Sequence, residues 1–204
     1  GVSVVNALSS RLDVEVDRGG KTHRMTFHRG EPGVFDDPRT GPTPDAQFTP
    51  FVAKSELKVV GKVAKGRTGT RVRYWADRQV FPKTAVFSYE DLVARIRQTT
   101  FLVPGLSVTL RDERGLPGTP GADGPHTETF LHTGGTVDFV DFLAPDAPVT
   151  QTWRLTGSGT FTETVPVLDD KGHMNPQDVE RECEVDVALR WGGGYDTNVK
   201  TFVN

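Results

Sequence analysis

Apolar positions in the first ten residues recur with helical spacing. Val2, Val5 and Leu8 fall at i, i+3 and i+6, and Val4 and Leu8 at i, i+4, with Ser3, Asn6 and Ser9 between them. The pattern predicts a helix with one buried stripe. The period then drops to two: Leu12, Val14 and Val16 alternate with Asp13, Glu15 and Asp17, which predicts a strand with one dry and one wet face. Arg18-Gly19-Gly20-Lys21 reads as a hairpin turn, because paired glycines supply the positive φ such turns need. A partner strand follows across 23–28.

Residues 31–50 lose all periodicity and are rich in Pro, Gly, Asp and Thr. A surface loop is expected, pinned by Phe35, Phe48 and Phe51. Two strands follow, 57–61 and 66–75. In the second, Thr70, Val72 and Tyr74 point one way and Arg71, Arg73 and Trp75 the other. Lys65, Arg67, Arg71 and Arg73 read as a solvated strand face rather than a nucleic-acid surface. Ser88-Tyr-Glu-Asp91 opens a helix as a capping-box variant. Tyr89, Leu92, Val93 and Ile96 form its buried stripe, and Pro104-Gly105 ends it. Strands at 106–111 and 127–131 flank a second Gly/Pro-rich loop. Gly134-Gly135 precedes a short helix over 137–143, a weak candidate for anion binding.

Ala144-Pro-Asp-Ala-Pro148 is the best boundary in the chain, with two prolines and no apolar pattern. Beyond it only strands are expected: 152–156, 161–168, 182–191 and, after a Trp191–Tyr195 hairpin, 197–203. Cys183 alternates with acidic neighbours and reads as an inert core thiol. Asp169-Asp170 sits in a turn that matches no trusted metal loop.

Composition narrows the classes. A net charge of −3 in 204 residues gives no basic excess of the kind nucleic-acid binders carry. A single cysteine excludes an intramolecular disulfide framework and fits a reducing compartment. No run is long enough to span a membrane and no export leader is visible, so a cytoplasmic protein is expected. The five histidines lack zinc spacing, and neither a lysine-bearing phosphate loop nor a nucleophile elbow is present.

Several segments share one resemblance. Gly1-Val-Ser-Val-Val-Asn-Ala-Leu-Ser9 resembles the helix after the ATP lid in the B subunits of bacterial type II topoisomerases, DNA gyrase and topoisomerase IV. Gly69-Thr-Arg-Val72 resembles the strand whose threonine lies under the adenine ring. The order of helix, Phe101-Leu102, turn and a strand ending in Arg111-Asp112 is similar too. Val187-Ala-Leu-Arg-Trp191 and Phe202-Val-Asn204 resemble the start of the transducer domain.

The resemblance implies an α+β fold: the C-terminal part of a GHKL-type ATPase sandwich over 1–148, then the start of an S5-like transducer domain over 149–204. It implies nucleotide contacts from Gly1, Val2 and Ser3, where free helix amides would face phosphate, and from Thr70 and Val72. Arg18 would rim the pocket, where the family contacts coumarin inhibitors. ATP and Mg2+ are the cofactors of the complete protein. Its partners are DNA, the A-type topoisomerase subunit and, joined on ATP binding, a second copy of itself. No catalytic residue and no metal ligand is expected here. The family's general-base glutamate, magnesium-binding asparagine, Asp-Gly-x-Gly element and γ-phosphate lysine all fall outside the chain, and Asn6 is not that asparagine. The chain alone is therefore expected not to hydrolyse ATP. The alternatives are a non-catalytic ligand-binding or dimerisation module of the same superfamily fold, or a stand-alone nucleic-acid binder.

Overall fold

A computed structural model describes residues 1–54, 56–144 and 146–203. The chain divides into two compact units, Gly1–Val86 and Phe87–Asn204. The boundary expected at Pro148 falls inside the second unit; its Pro145, like Asn204, lies outside the described residues.

The first unit runs α1 (Val2–Ala7), β1 (Ser9–Arg18), β2 (Lys21–His28), β3 (Glu31–Asp36), β4 (Gln47–Pro50), β5 (Lys58–Lys62) and β6 (Gly69–Ala76). The strands form one sheet in the order β4-β3-β2-β1-β6, with β5 also paired to β2. The β1–β2 hairpin closes through Gly19 and Gly20 at φ 61° and 79°, as the sequence requires. Residues 31–50 depart from expectation, since both ends of the supposed loop are strands. Gly33 explains why the pattern is invisible: a Cβ there would lie 2.4 Å from the Phe48 ring. The strand pairing depends on an absent side chain, not on an alternating apolar one.

The faces of β1 also differ from expectation. Leu12 is 1% exposed, but Val14 and Val16 are only half-buried. The residues expected to be wet are the drier ones: Asp13 and Asp17 are buried. The reason is pairing. Arg11, 1% exposed, donates from Nε and Nη2 to Asp13 at 2.7 and 2.9 Å, to Asp37 and to the Thr43 carbonyl at 2.8 Å. Its guanidinium lies 4.1 Å from the centre of the Phe35 ring and 5.4 Å from that of Trp75. Buried carboxylates persist only when charge and hydrogen bonds compensate them.

The second unit runs α2 (Tyr89–Leu102), β7 (Ser107–Asp112), β8 (His126–Leu131), α3 (Thr136–Leu143), β9 (Trp153–Leu168) and β10 (Met174–Leu189). Ser88 caps α2 as expected, accepting from Asp91 N at 3.2 Å. Phe101, 2% exposed, centres the core: its ring stacks on His132 at 3.6 Å and on Phe139 at 4.9 Å.

β9 and β10 pair along all sixteen residues into a two-stranded ribbon. The expected strands 152–156 and 161–168 are therefore one. Register puts Leu155, Phe161, Val185 and Val187 on one face, and Asp178, Glu180, Glu182, Glu184 and Asp186 on the other. The Cys183 expectation fails: the thiol is exposed, because the ribbon face that carries it is open to solvent at both Phe161 and Val185. No strand forms over 197–203 among the described residues; Trp191 instead accepts at its carbonyl from Val149 N at 2.9 Å.

Candidate functional site

Thr70 and Val72 lie on β6, opposite Val16 and Val14 of β1. Pleating puts all four on one face of the sheet. Arg18 is two residues past Val16, on that same face, at the mouth of the Gly19-Gly20 turn. The face is open: Thr70 and Arg18 are exposed, and Val72 is 49% exposed. Long-range register thus gathers three of the sequence-selected residues at one end of the sheet.

Gly1, Val2 and Ser3 are also exposed, and Gly1 caps α1 with no side-chain bond. They are set apart from the other three. α1 enters β1 beside the Ser9–Ala76 pair, seven residues along β1 from the Val16–Thr70 pair. That is about 23 Å of strand, while a six-residue helix spans about 9 Å.

Behind this face is an arrangement that the alternation alone did not disclose. Glu15 and Asp17 point to the opposite side and draw guanidinium groups from both neighbouring strands. Glu15 accepts from Arg24 Nε at 2.7 Å and Arg71 Nε at 2.9 Å. Asp17, 2% exposed, accepts from Thr22 Oγ1 at 2.7 Å and from Arg71 Nη1 at 3.0 Å, with Arg67 Nε 3.3 Å away. The signal was present in sequence as acids on one strand and arginines on the next two, but only the register matches them.

These contacts shift the carboxyls. Hydrogen bonds from Arg71, then Thr22, hold Asp17 below its ordinary value. Arg11 does the same for Asp37. At Glu15, burial opposes ionisation, but the bonds from Arg24 and Arg71 outweigh it and the value falls. Depressed folded-state values contribute stability that is complete above the unfolded values, about 3.9 for Asp and 4.3 for Glu. That stability is lost as pH falls through the lower folded values. The urea midpoint followed by Trp75 fluorescence, with Trp153 and Trp191 replaced by phenylalanine, should therefore hold steady from neutral pH to about 5 and drop below about 4. A midpoint that rises on acidification would contradict the network.

The remaining candidates resolve structurally. Gly134 N donates to Asp138 Oδ2 at 2.8 Å, so the amide that might have received an anion before α3 is occupied by the helix's own carboxylate. Asp169 accepts from Lys171 N and His173 N at 2.9 and 2.8 Å and from Asn175 Nδ2 at 2.9 Å, which makes it the organiser of the ribbon's turn. Among the described residues no group of three or more His, Cys, Asp or Glu could hold a metal ion, and no helix is long and apolar enough to cross a membrane.

No family model matches the chain. Curated relatives do. The chain is 31% identical over 204 residues to the DNA gyrase B protein of Staphylococcus epidermidis, a match that covers 100% of the chain and 24% of the relative. It is 30% identical over 207 residues to the DNA gyrase B protein of Halalkalibacterium halodurans, again with 24% of that protein covered. The chain thus spans about a quarter of the length of the relatives it matches. Among solved structures it is similar to the 43K ATPase domain of Thermus thermophilus gyrase B in complex with an aminocoumarin. That likeness has a TM-score of 0.56 and 30% identity, over 78% of this chain and 38% of the other.

Proposed function

We propose, for a chain that belongs to the family of DNA gyrase B subunits, that it forms part of the nucleotide-binding face of a type II topoisomerase ATPase region. Within that reading Thr70 and Val72 wall the adenine pocket and Arg18 rims it. Gly1, Val2 and Ser3 offer backbone amides to the triphosphate. The observation that carries the reading is the shared open face of Thr70, Val72 and Arg18, in a chain whose solved neighbour is an ATPase domain. The separation of the α1 end from this patch suits a ligand with a base at one end and phosphates at the other.

The chain's own part in the chemistry is binding and orientation. A hydroxyl at Thr70 can hydrogen-bond the base or a water beside it, while Val72 excludes water from the ring face. Magnesium, when bound in the complete protein, would neutralise phosphate charge. The 1–148 and 149–204 division into ATPase and transducer parts belongs to the same proposal. So do ATP-driven pairing of two B subunits, the A-type subunit, DNA as the object of strand passage, and a cytoplasmic location.

Titration of magnesium-ATP into the full-length protein that carries this chain tests the reading. Arg18→Ala and Thr70→Ala should each weaken binding by about tenfold, the scale of one lost hydrogen bond. The 204-residue chain alone should show no ATP hydrolysis, since a general base and a metal ligand must act together. Wild-type affinity in both variants would refute the pocket; magnesium-dependent hydrolysis by the chain alone would refute the division of labour.

A further inference from the structure

The charged face of β1 bears directly on the candidate pocket. Asp17 adjoins Arg18 in sequence, pairs in register with Thr22 on β2, and faces Gly69, the neighbour of Thr70, on β6. Its carboxylate is therefore tied to the backbone positions that carry both pocket residues. Three side chains converge on it: Thr22 from β2, Arg71 from within β6, and Arg67 from the segment leading into β6. Arg71 extends the tie to Glu15, which Arg24 of β2 also holds. Three strands are stitched at the end of the sheet where the Gly19-Gly20 turn would otherwise leave the rim loose.

We propose that Asp17 is a positioning residue: with Arg71 it clamps the ends of β1, β2 and β6 from behind, fixing Arg18 and Thr70 on the nucleotide face. Its side chain points away from that face, so it acts through the backbone and touches no ligand. The inference rests on the nucleotide reading above. Burial makes the clamp effective, because a carboxylate 2% exposed is little screened by salt. Side chains held by packing and second contacts position a site more tightly than loop residues left free.

The test uses the full-length protein and magnesium with a non-hydrolysable ATP analogue, followed by calorimetry. Asp17→Asn keeps the side chain's size and an acceptor for Thr22. Arg71→Met starts from a side chain 51% exposed and leaves Asp17 its contacts with Thr22 and Arg67, which makes it the second variant. Each should weaken analogue binding by about fivefold, and raise KM for ATP with kcat little changed, a loss of ground-state positioning. Amide exchange at 18–21 should quicken while that of α2 stays unchanged. Combined with Arg18→Ala, Asp17→Asn should add less than its own loss of about fivefold, because the part of the clamp's effect that runs through Arg18 is already gone and only the part through Thr70 remains.

Wild-type affinity in Asp17→Asn and Arg71→Met, with Arg18→Ala still impaired, would overturn the positioning role alone. Full multiplication of the two losses in the double variant would do the same. Wild-type affinity in Arg18→Ala and Thr70→Ala would overturn the pocket, and the clamp's purpose with it.

Discussion

Replacement of Arg11 by alanine should destabilise the first unit by about 3–5 kcal/mol, the usual cost of removing one partner from a buried ion pair. The effect is large because of what stays behind. Asp13 is buried and takes both its nitrogen donors from Arg11, and Asp37 loses its guanidinium as well. The aromatic contacts with Phe35 and Trp75 go too. Urea denaturation followed by Trp75 emission, with Trp153 and Trp191 replaced by phenylalanine, gives the number. Adding Asp13→Asn to the variant should recover part of the loss, since the stranded charge is then gone. A cost under about 1 kcal/mol would mean that the group is solvated in the folded protein.

Phe101→Ala should have a comparable effect in the second unit, about 3–5 kcal/mol, as for other large buried aromatics. Phe101 joins α2 to α3 and to the residue after β8 through Phe139, Phe142 and His132. It is also the most buried aromatic of that unit among the described residues. Amide exchange across α2 and α3 should accelerate together, while β1 and β2 keep their protection. Uniform acceleration in both units, or none in either, would show that the stacked rings are not the local keystone.

How much of this could be read from residues alone depended on the range of the interaction. The β1 strand and its Gly-Gly turn were legible because alternation and turn chemistry act within a few residues. The cap at Ser88 was legible for the same reason. β3 and β4 were hidden because Pro32, Gly33 and Pro50 interrupt any period, and the pairing rests on Gly33 fitting under Phe48. The full length of β9 was hidden because Gly157, Gly159 and Pro166 read as breaks. A two-stranded ribbon tolerates them, since each strand leaves one edge unpaired. Cys183 was misplaced because alternation tells which side a residue takes, not whether anything covers that side. At the candidate site, Thr70, Val72 and Arg18 were singled out by family resemblance. Their meeting on one face needed the Val16–Thr70 register, a pairing across more than fifty residues. The Asp17 clamp had no family signal and no local one.

The ribbon also limits where a polyanion can travel. Asp178, Glu180, Glu182, Glu184 and Asp186 project from one side of β10, two residues apart, and Arg154 is a cation paired on that side, with Asp186. Carboxylates at about 6.8 Å intervals repel a phosphate backbone over roughly 8 Å at physiological salt. Any polyanion that nears the ribbon, a nucleic-acid duplex included, is fended off by that flank of the hairpin.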